Sequence, residues 1–276
     1  MKNSMKNDSF CYAYSGIVPL RKDHTDASEM VTQMLLGETA KVLNITERWV
    51  EVTCDFDDYS GWVNKNQVRF LTQTEFEQWT NDTRRNPSAY YNFFIEGSGA
   101  ELFVPVGASV IIEGENVILP DGRYSLNTKP NQLKQRDLLD TARQFLGVPY
   151  LWGGRTDSGI DCSGFIQTVY SLHGYKLPRD SRDQAHVAKI ETDNIDLANR
   201  GDIIYFNTTG EHINHVGFYI GEGLLLHASG NVKINNIRHD RRNGNQYPFD
   251  NRLAEHIYGI QNGQFLRKFA KTDQFE

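Results

Sequence analysis

Cysteine is scarce: 276 residues contain only Cys11, Cys54 and Cys162. An odd, widely spaced set cannot form a disulfide framework, and no CxxC pair or Cys/His cluster offers zinc spacing. Free thiols fit a reducing compartment; no metal and no cofactor is expected. Long apolar runs are lacking too. Nothing approaches the roughly 18–20 apolar residues of a membrane span, and "MKNSMKNDSFCYAYSG" at the start holds no apolar core of an export signal. The expected location is therefore cytoplasmic, with the envelope left open should a leader have been removed. Positive charge is not in excess either. Lys and Arg number 29 against 35 Asp and Glu, a net charge of −6, so neither nucleic acid nor an anionic membrane is an expected partner. The short basic cluster "RHDRR" (238–242) reads as solvated surface.

What is present points to more than one domain. In residues 12–70, "GETAKVLNITERWVEVTCDFDDYSGWVNKNQV" alternates apolar and polar positions between turn signals at Asp57-Asp58 and Ser60-Gly61, the pattern of a small antiparallel barrel. A helical segment follows near 72–82. The strand pattern then returns over 90–128, with "PDG" at 120–122 as a turn. After the polar linker "NTKPNQ" (127–132) the pattern changes. Leu138, Leu139, Ala142, Phe145 and Leu146 recur at helical spacing, with Gly147 and Pro149 as stops. "CSGFIQTVYSLHGY" (162–175) is a second helix, with Phe165, Ile166, Val169 and Leu172 facing inward. Strands follow at 201–206, 214–221, 223–229 and 255–261. The expected class is α+β: two small β-barrels at 1–71 and 72–130, then a domain at 131–276 with helices packed on an antiparallel sheet.

Chemistry centres on "GIDCSGF" (159–165). A lone cysteine reads as a small buried hydrophobe, yet Cys162 directly precedes an apolar helix. Unpaired N–H groups at a helix start favour a thiolate, and Gly164 lets something approach the backbone closely. Of the eight histidines, His24, His173, His186, His239 and His256 have no distinguishing context, and His212 sits in a loop. His215 opens "HVGFYIG" and His227 lies in "LLLHASG", beyond a tight "GEG" turn. A three-residue loop between these strands places both rings on one face. Two imidazoles there suit a base and its orienter beside a thiol; two independent sheet histidines remain the alternative.

The run "YLWGGRTDSGIDCSGF", "LPRDSRDQ", "RGDIIYF", "NHVGFYIG", "LLHASG" resembles, in order over about residues 132–270, the NlpC-type papain-like cysteine peptidases that cut bacterial cell-wall peptides. The β modules resemble bacterial SH3 domains, the first more closely through "LLGETAKVL…WVEV…DYSGWV"; the second has no clear counterpart of "DYSGWV" and reads equally as a spacer. The combination resembles the γ-D-glutamyl-L-diamino acid endopeptidases of that family. The resemblance implies that Cys162 is the nucleophile, His215 the general base, and His227 the residue that orients it. It implies a murein-derived substrate, L-Ala-γ-D-Glu-diamino acid, handled in peptide recycling by a monomer.

Further roles follow from the same resemblance. Tyr150 is the side-chain donor to the oxyanion, or an ordinary packed aromatic. Asp180 and Ser181 bind the free ammonium of the substrate, with a helix N-cap as the alternative for Asp180. Glu29 and Tyr59 of the first module close over that ammonium, or are a surface acid and a barrel aromatic. Trp152 lines the cleft or the core, and Asp161 and Ser163 contact substrate or the helix end. Two rival functions use the same fold: a cell-wall binding protein, and a wall amidase or acyltransferase.

Overall fold

The computed structural model describes residues 9–87, 93–96, 101–127, 137–238 and 246–264. The chain forms two compact units, Met1–Leu133 and Lys134–Glu276.

The first unit begins with seven strands: β1 (Phe10–Ala13), β2 (Ile17–Arg21), β3 (Met30–Leu35), β4 (Thr39–Ile45), β5 (Trp49–Cys54), β6 (Ser60–Asn64) and β7 (Val68–Leu71). They form one sheet in the order β3-β2-β6-β5-β4-β1-β7. Alternation along β5 sends Val50, Val52 and Cys54 inward to meet Cys11, Leu20, Met34 and Val63 in one apolar core. Cys11 and Cys54 are thus packing residues, and burial pushes the Cys11 thiol up to about 12.

Helix α1 (Gln73–Thr80) starts at a capping box in which Thr72 and Glu75 satisfy each other's backbone N–H. Its Trp79 donates from Nε1 to the Gly37 carbonyl at 2.9 Å. Gly37 has φ +80° and faces Ser109 so closely that a Cβ would lie 1.8 Å from the Ser109 carbonyl oxygen, which leaves glycine alone at this position. Strands β8 (Asn86–Pro87), β9 (Phe93–Glu96), β10 (Glu101–Val104), β11 (Ser109–Glu113), β12 (Asn116–Leu119) and β13 (Gly122–Ser125) follow. Leu36, Ile95, Val104, Val110 and Val117 contribute to a second core. Parts of the expected second module, and the linker at 128–132, lie outside the described residues.

In the second unit α2 (Leu138–Arg143) precedes a short hairpin of β14 (Arg155–Thr156) and β15 (Gly159–Ile160). The hairpin delivers the chain to α3 (Cys162–Ser171), followed by α4 (Ser181–Val187). Next come β16 (Ile203–Phe206), β17 (His215–Gly221), β18 (Leu224–Ser229), β19 (Asn231–Asn236), α5 (Asn251–Glu255) and β20 (Ile257–Gln261). The antiparallel sheet runs β19-β18-β17-β16-β20, so the architecture is α+β. Every residue of α3 is buried. Phe165 meets Phe145 and the edge of Phe218, and Tyr170 stacks on Phe218 at 6.2 Å, giving an aromatic layer between helix and sheet. Leu146, expected on the inward face of a longer helix, is instead 45% exposed because α2 ends at Arg143 and the chain leaves in turns. Strand β19 was not anticipated.

Gly164 is where α3 lies against the backbone just before the hairpin. A Cβ there would sit 2.2 Å from the Gly154 carbonyl, so the close approach expected at Gly164 is made by the protein's own chain. Gly164→Ala should lower the unfolding free energy of the second unit by about 1–3 kcal/mol through overpacking, read by urea denaturation.

Candidate active site

The site begins with the cap of α3. Asp161 is extended and its carboxylate accepts from the Gly164 N–H at 2.7 Å, so the helix starts at Cys162. The same carboxylate accepts from the Gly153 N–H at 2.8 Å and the Ser163 hydroxyl at 3.3 Å. Arg179 grips it with both terminal nitrogens, at 3.0 and 2.5 Å, and donates to the Ser163 hydroxyl at 2.9 Å. Asp161 is 6% exposed and Arg179 is 2% exposed. Asp161 and Ser163, expected to contact substrate or the helix end, both take part in the helix end.

Sequence reasoning missed Arg179. No local feature of "LPRDS" marks this arginine for burial.

The next turn of chain is held from two sides. Arg179 anchors it at one end. At the other, Gln184 is fully buried and donates to the carbonyls of Ser163 at 3.0 Å and Pro178 at 2.9 Å. Asp180 and Ser181 lie between these anchors, beside the start of α3. Asp180 occupies the N-cap position of α4 without making a side-chain capping bond, and is exposed, while Ser181 is buried.

Cys162 itself is 8% exposed. The backbone N–H groups of Ser163 and Val216 both act to lower the pKa of its thiol, and Val216 follows His215 in β17. The His215 Nε2 lies 2.7 Å from Nδ1 of His227, and the rings meet edge to face. His227 is fully buried, and its Nε2 lies 2.9 Å from Oδ1 of Asn235.

That meeting of histidines depends on an irregularity in the hairpin. Only Glu222 and Gly223 separate the strands, both at positive φ (55° and 78°), which corrects the expected three-residue loop. The pair nearest the turn is Gly221↔Leu224, and a regular ladder continuing from it would set His227 opposite Phe218, on the other face from His215. A bulge between Tyr219 and Gly221 resets the register to Tyr219↔Leu225 and Phe218↔Leu226. His227 then falls opposite Gly217, on the face of His215. Gly217 must lack a side chain, since a Cβ would stand 2.9 Å from that of His227.

Electrostatics hold the resting pair neutral. Burial, then the Asp161 charge, push the Cys162 thiol from 9.0 up to about 12, against the lowering effects of Arg179 and the two N–H groups. Burial, then His227, Arg252 and Lys233, bring His215 from 6.5 down to about 3. The helix start was expected to favour a thiolate; burial and Asp161 outweigh it. Moving the proton from sulfur to imidazole creates both charges together, and their attraction offsets part of each cost.

Tyr150 is half-buried. Burial, then the Cys162 and Asp161 charges, raise its phenol above the ordinary value, so it stays a donor near the sulfur. Trp152 is 60% exposed, which excludes its core alternative. Glu29 and Tyr59 belong to the first unit, where Glu29 lies 3.9 Å from Lys22 and Tyr59 packs partly buried against the barrel core. Among the described residues no cluster of His, Cys, Asp and Glu could hold a metal ion.

A neutral thiol at a helix start, near an imidazole whose far nitrogen is tethered, can perform nucleophilic attack with general-base assistance. A family model described as the NlpC/P60 family matches residues 147–247. A second, described as the bacterial dipeptidyl-peptidase SH3 domain, matches residues 20–68. The chain is 30% identical over 232 residues to the gamma-D-glutamyl-L-lysine dipeptidyl-peptidase of Bacillus cereus, which covers 74% of this chain and 68% of that protein. It is 30% identical over 218 residues to the protein of the same name in Bacillus subtilis, covering 71% of each. The solved structure of an NlpC/P60 family protein from Bacillus cereus shares its fold, with a TM-score of 0.70 at 21% identity, over 92% of this chain and 99% of the other. Fold and site together define a cysteine peptidase. The chain belongs to the NlpC/P60 family, as a member that also carries a bacterial SH3 domain.

Two outcomes follow from this geometry. Arg179→Ala leaves a buried carboxylate unpaired and should cost about 3–5 kcal/mol of stability; Arg179→Lys, lacking the fork, should recover only part. Urea unfolding reads both. The second outcome concerns pH. As pH falls below 6.5 the unfolded chain protonates at His215 before the folded one does, so stability should decline toward pH 3. Above 9.0 the unfolded Cys162 thiol ionises first, so stability should decline toward pH 12. His215→Asn should flatten the acid limb and Cys162→Ala the alkaline limb in urea titrations across this range.

Proposed function

We propose that this peptidase hydrolyses the bond between γ-D-glutamate and a diamino acid in free murein peptides that begin with L-Ala. Its place would be the recycling of wall peptides in the cytoplasm, as a monomer. The observation that carries the reaction is the 2.7 Å bond from His215 to His227, with the N–H of Val216, the residue after His215, acting on the Cys162 thiol. Support for the substrate comes from the two Bacillus relatives named gamma-D-glutamyl-L-lysine dipeptidyl-peptidase. A match covering 74% of the chain is longer than the second unit, Lys134–Glu276, and so extends into the first.

In this reading His215 takes the Cys162 proton and the thiolate attacks the γ-carbonyl. The oxyanion accepts from the Cys162 N–H at the helix start and from the Tyr150 hydroxyl. The His215 imidazolium then protonates the departing amine of the diamino acid, leaving an L-Ala-γ-D-Glu thioester. His215 deprotonates water, which hydrolyses the thioester and restores the thiol. Trp152 flanks the cleft. Asp180, with Ser181, binds the substrate ammonium. That choice is supported by the way its segment is pinned to the start of α3 by Arg179 and Gln184.

Mass spectrometry of L-Ala-γ-D-Glu-L-Lys, of its diaminopimelate counterpart, and of their N-acetyl forms tests the proposal. Release of L-Ala-D-Glu is expected from the free-amine peptides, with the acetylated forms cut at least about tenfold more slowly. Asp180→Asn should lower kcat/KM for free-amine peptide by about tenfold and leave the acetylated rate unchanged. Equal cutting of free and acetylated peptides would refute the ammonium site while leaving the peptidase reaction standing.

A further inference from the structure

Hydrogen bonding beyond His227 decides where the protons of both histidines lie. Asn235, on β19, sits on the same face as Lys233, which pairs with His227 across the ladder, and so reaches the buried ring diagonally. Its Nδ2 is 2.9 Å from the carbonyl oxygen of Pro248. That carbonyl is fixed in place, because the Asn236 N–H also donates to it at 2.9 Å and the Asp250 N–H returns a bond to the Asn236 carbonyl at 2.8 Å. A carbonyl can only accept. The amide must therefore turn its NH2 to Pro248 and its oxygen to His227.

We propose that Asn235 is a positioning residue that sets the tautomers of both site histidines and so makes His215 a base toward Cys162. Facing an acceptor oxygen, His227 carries its proton on Nε2 and leaves a lone pair on Nδ1. That lone pair requires His215 to donate from Nε2 across the 2.7 Å bond. Nδ1 of His215 is then unprotonated and is the nitrogen that can take the thiol proton. The opposite arrangement, with His227 protonated on Nδ1, would place the His215 proton on Nδ1 and disable it as a base. When His215 does accept the Cys162 proton, both its nitrogens donate and His227 remains neutral; no proton passes to Asn235. The polarity of the chain originates in the Pro248 carbonyl, far along the sequence from the thiol.

This inference deepens the peptidase reading and rests on it, yet it can be tested without the proposed substrate. Nitrogen-15 NMR of the histidine-labelled full chain should report the Nε2–H tautomer for both His215 and His227, and a mixture in Asn235→Leu. With L-Ala-γ-D-Glu-L-Lys, Asn235→Leu should lower kcat about ten- to a hundredfold with KM nearly unchanged, since a buried N–H is left without its acceptor. Alkylation of Cys162 by iodoacetamide should slow in parallel. Asn235→Asp sets its second oxygen against the Pro248 carbonyl, which can only accept, and favours a doubly protonated His227, so it should not regain the rate. In a His227→Gln background, Asn235→Leu should cost nothing further, because Asn235 acts only through His227. An Nδ1–H tautomer at His227 in the unaltered protein would overturn the proposal. So would an Asn235→Leu variant with full kcat, or an undiminished Asn235→Leu cost in the His227→Gln background. Failure to cut the peptide by the unaltered enzyme would instead count against the substrate, with tautomers and alkylation still deciding the role of Asn235.

Discussion

The buried pair of Arg179 and Asp161 is the constraint on which the second unit's site depends. One carboxylate caps the helix that opens with Cys162, ties down Gly153, and receives a bidentate guanidinium. Isolated, either charge in so dry a setting would be prohibitive. Together they weld three separate pieces of chain: the loop before the hairpin, the first turn of α3, and the turn that carries Asp180. Gln184 repeats the weld a few residues on. Catalysis by positioning needs such rigidity, because errors of an ångström cost large factors in rate.

The histidines are organised by a different device. A two-residue turn with positive φ at both positions starts the hairpin in a register that would split His215 from His227. The bulge corrects the parity, and glycine at 217 makes the room. From there the hydrogen bonds run His215, His227, Asn235, Pro248 with one direction only. Burial keeps thiol and imidazole uncharged at rest, so the reactive charge separation appears only when the proton moves.

Much of this was legible beforehand. The helix at Cys162 followed from the period of Phe165, Ile166, Val169 and Leu172, a local feature. The strands carrying His215 and His227 were legible because their apolar runs are bounded by glycine. The burial of Arg179 was not legible, since its partner lies eighteen residues away and pairing cancels the penalty that a sequence scale assigns to arginine. Strand β19 was missed because "NVKINN" contains three asparagines, residues depleted from strands; one of them serves the site.

By itself the sequence determined the class of fold, the thiol, the two imidazoles and their order along the chain, because periodicity, capping and turn chemistry act over a few residues. Only the tertiary structure decided that Asp161 and Ser163 serve the helix end, that the resting pair is neutral, and that Asn235 faces His227. Those outcomes depend on burial and on hydrogen-bond partners brought together from distant strands. No local pattern encodes the side of a strand on which a bulge will leave a histidine.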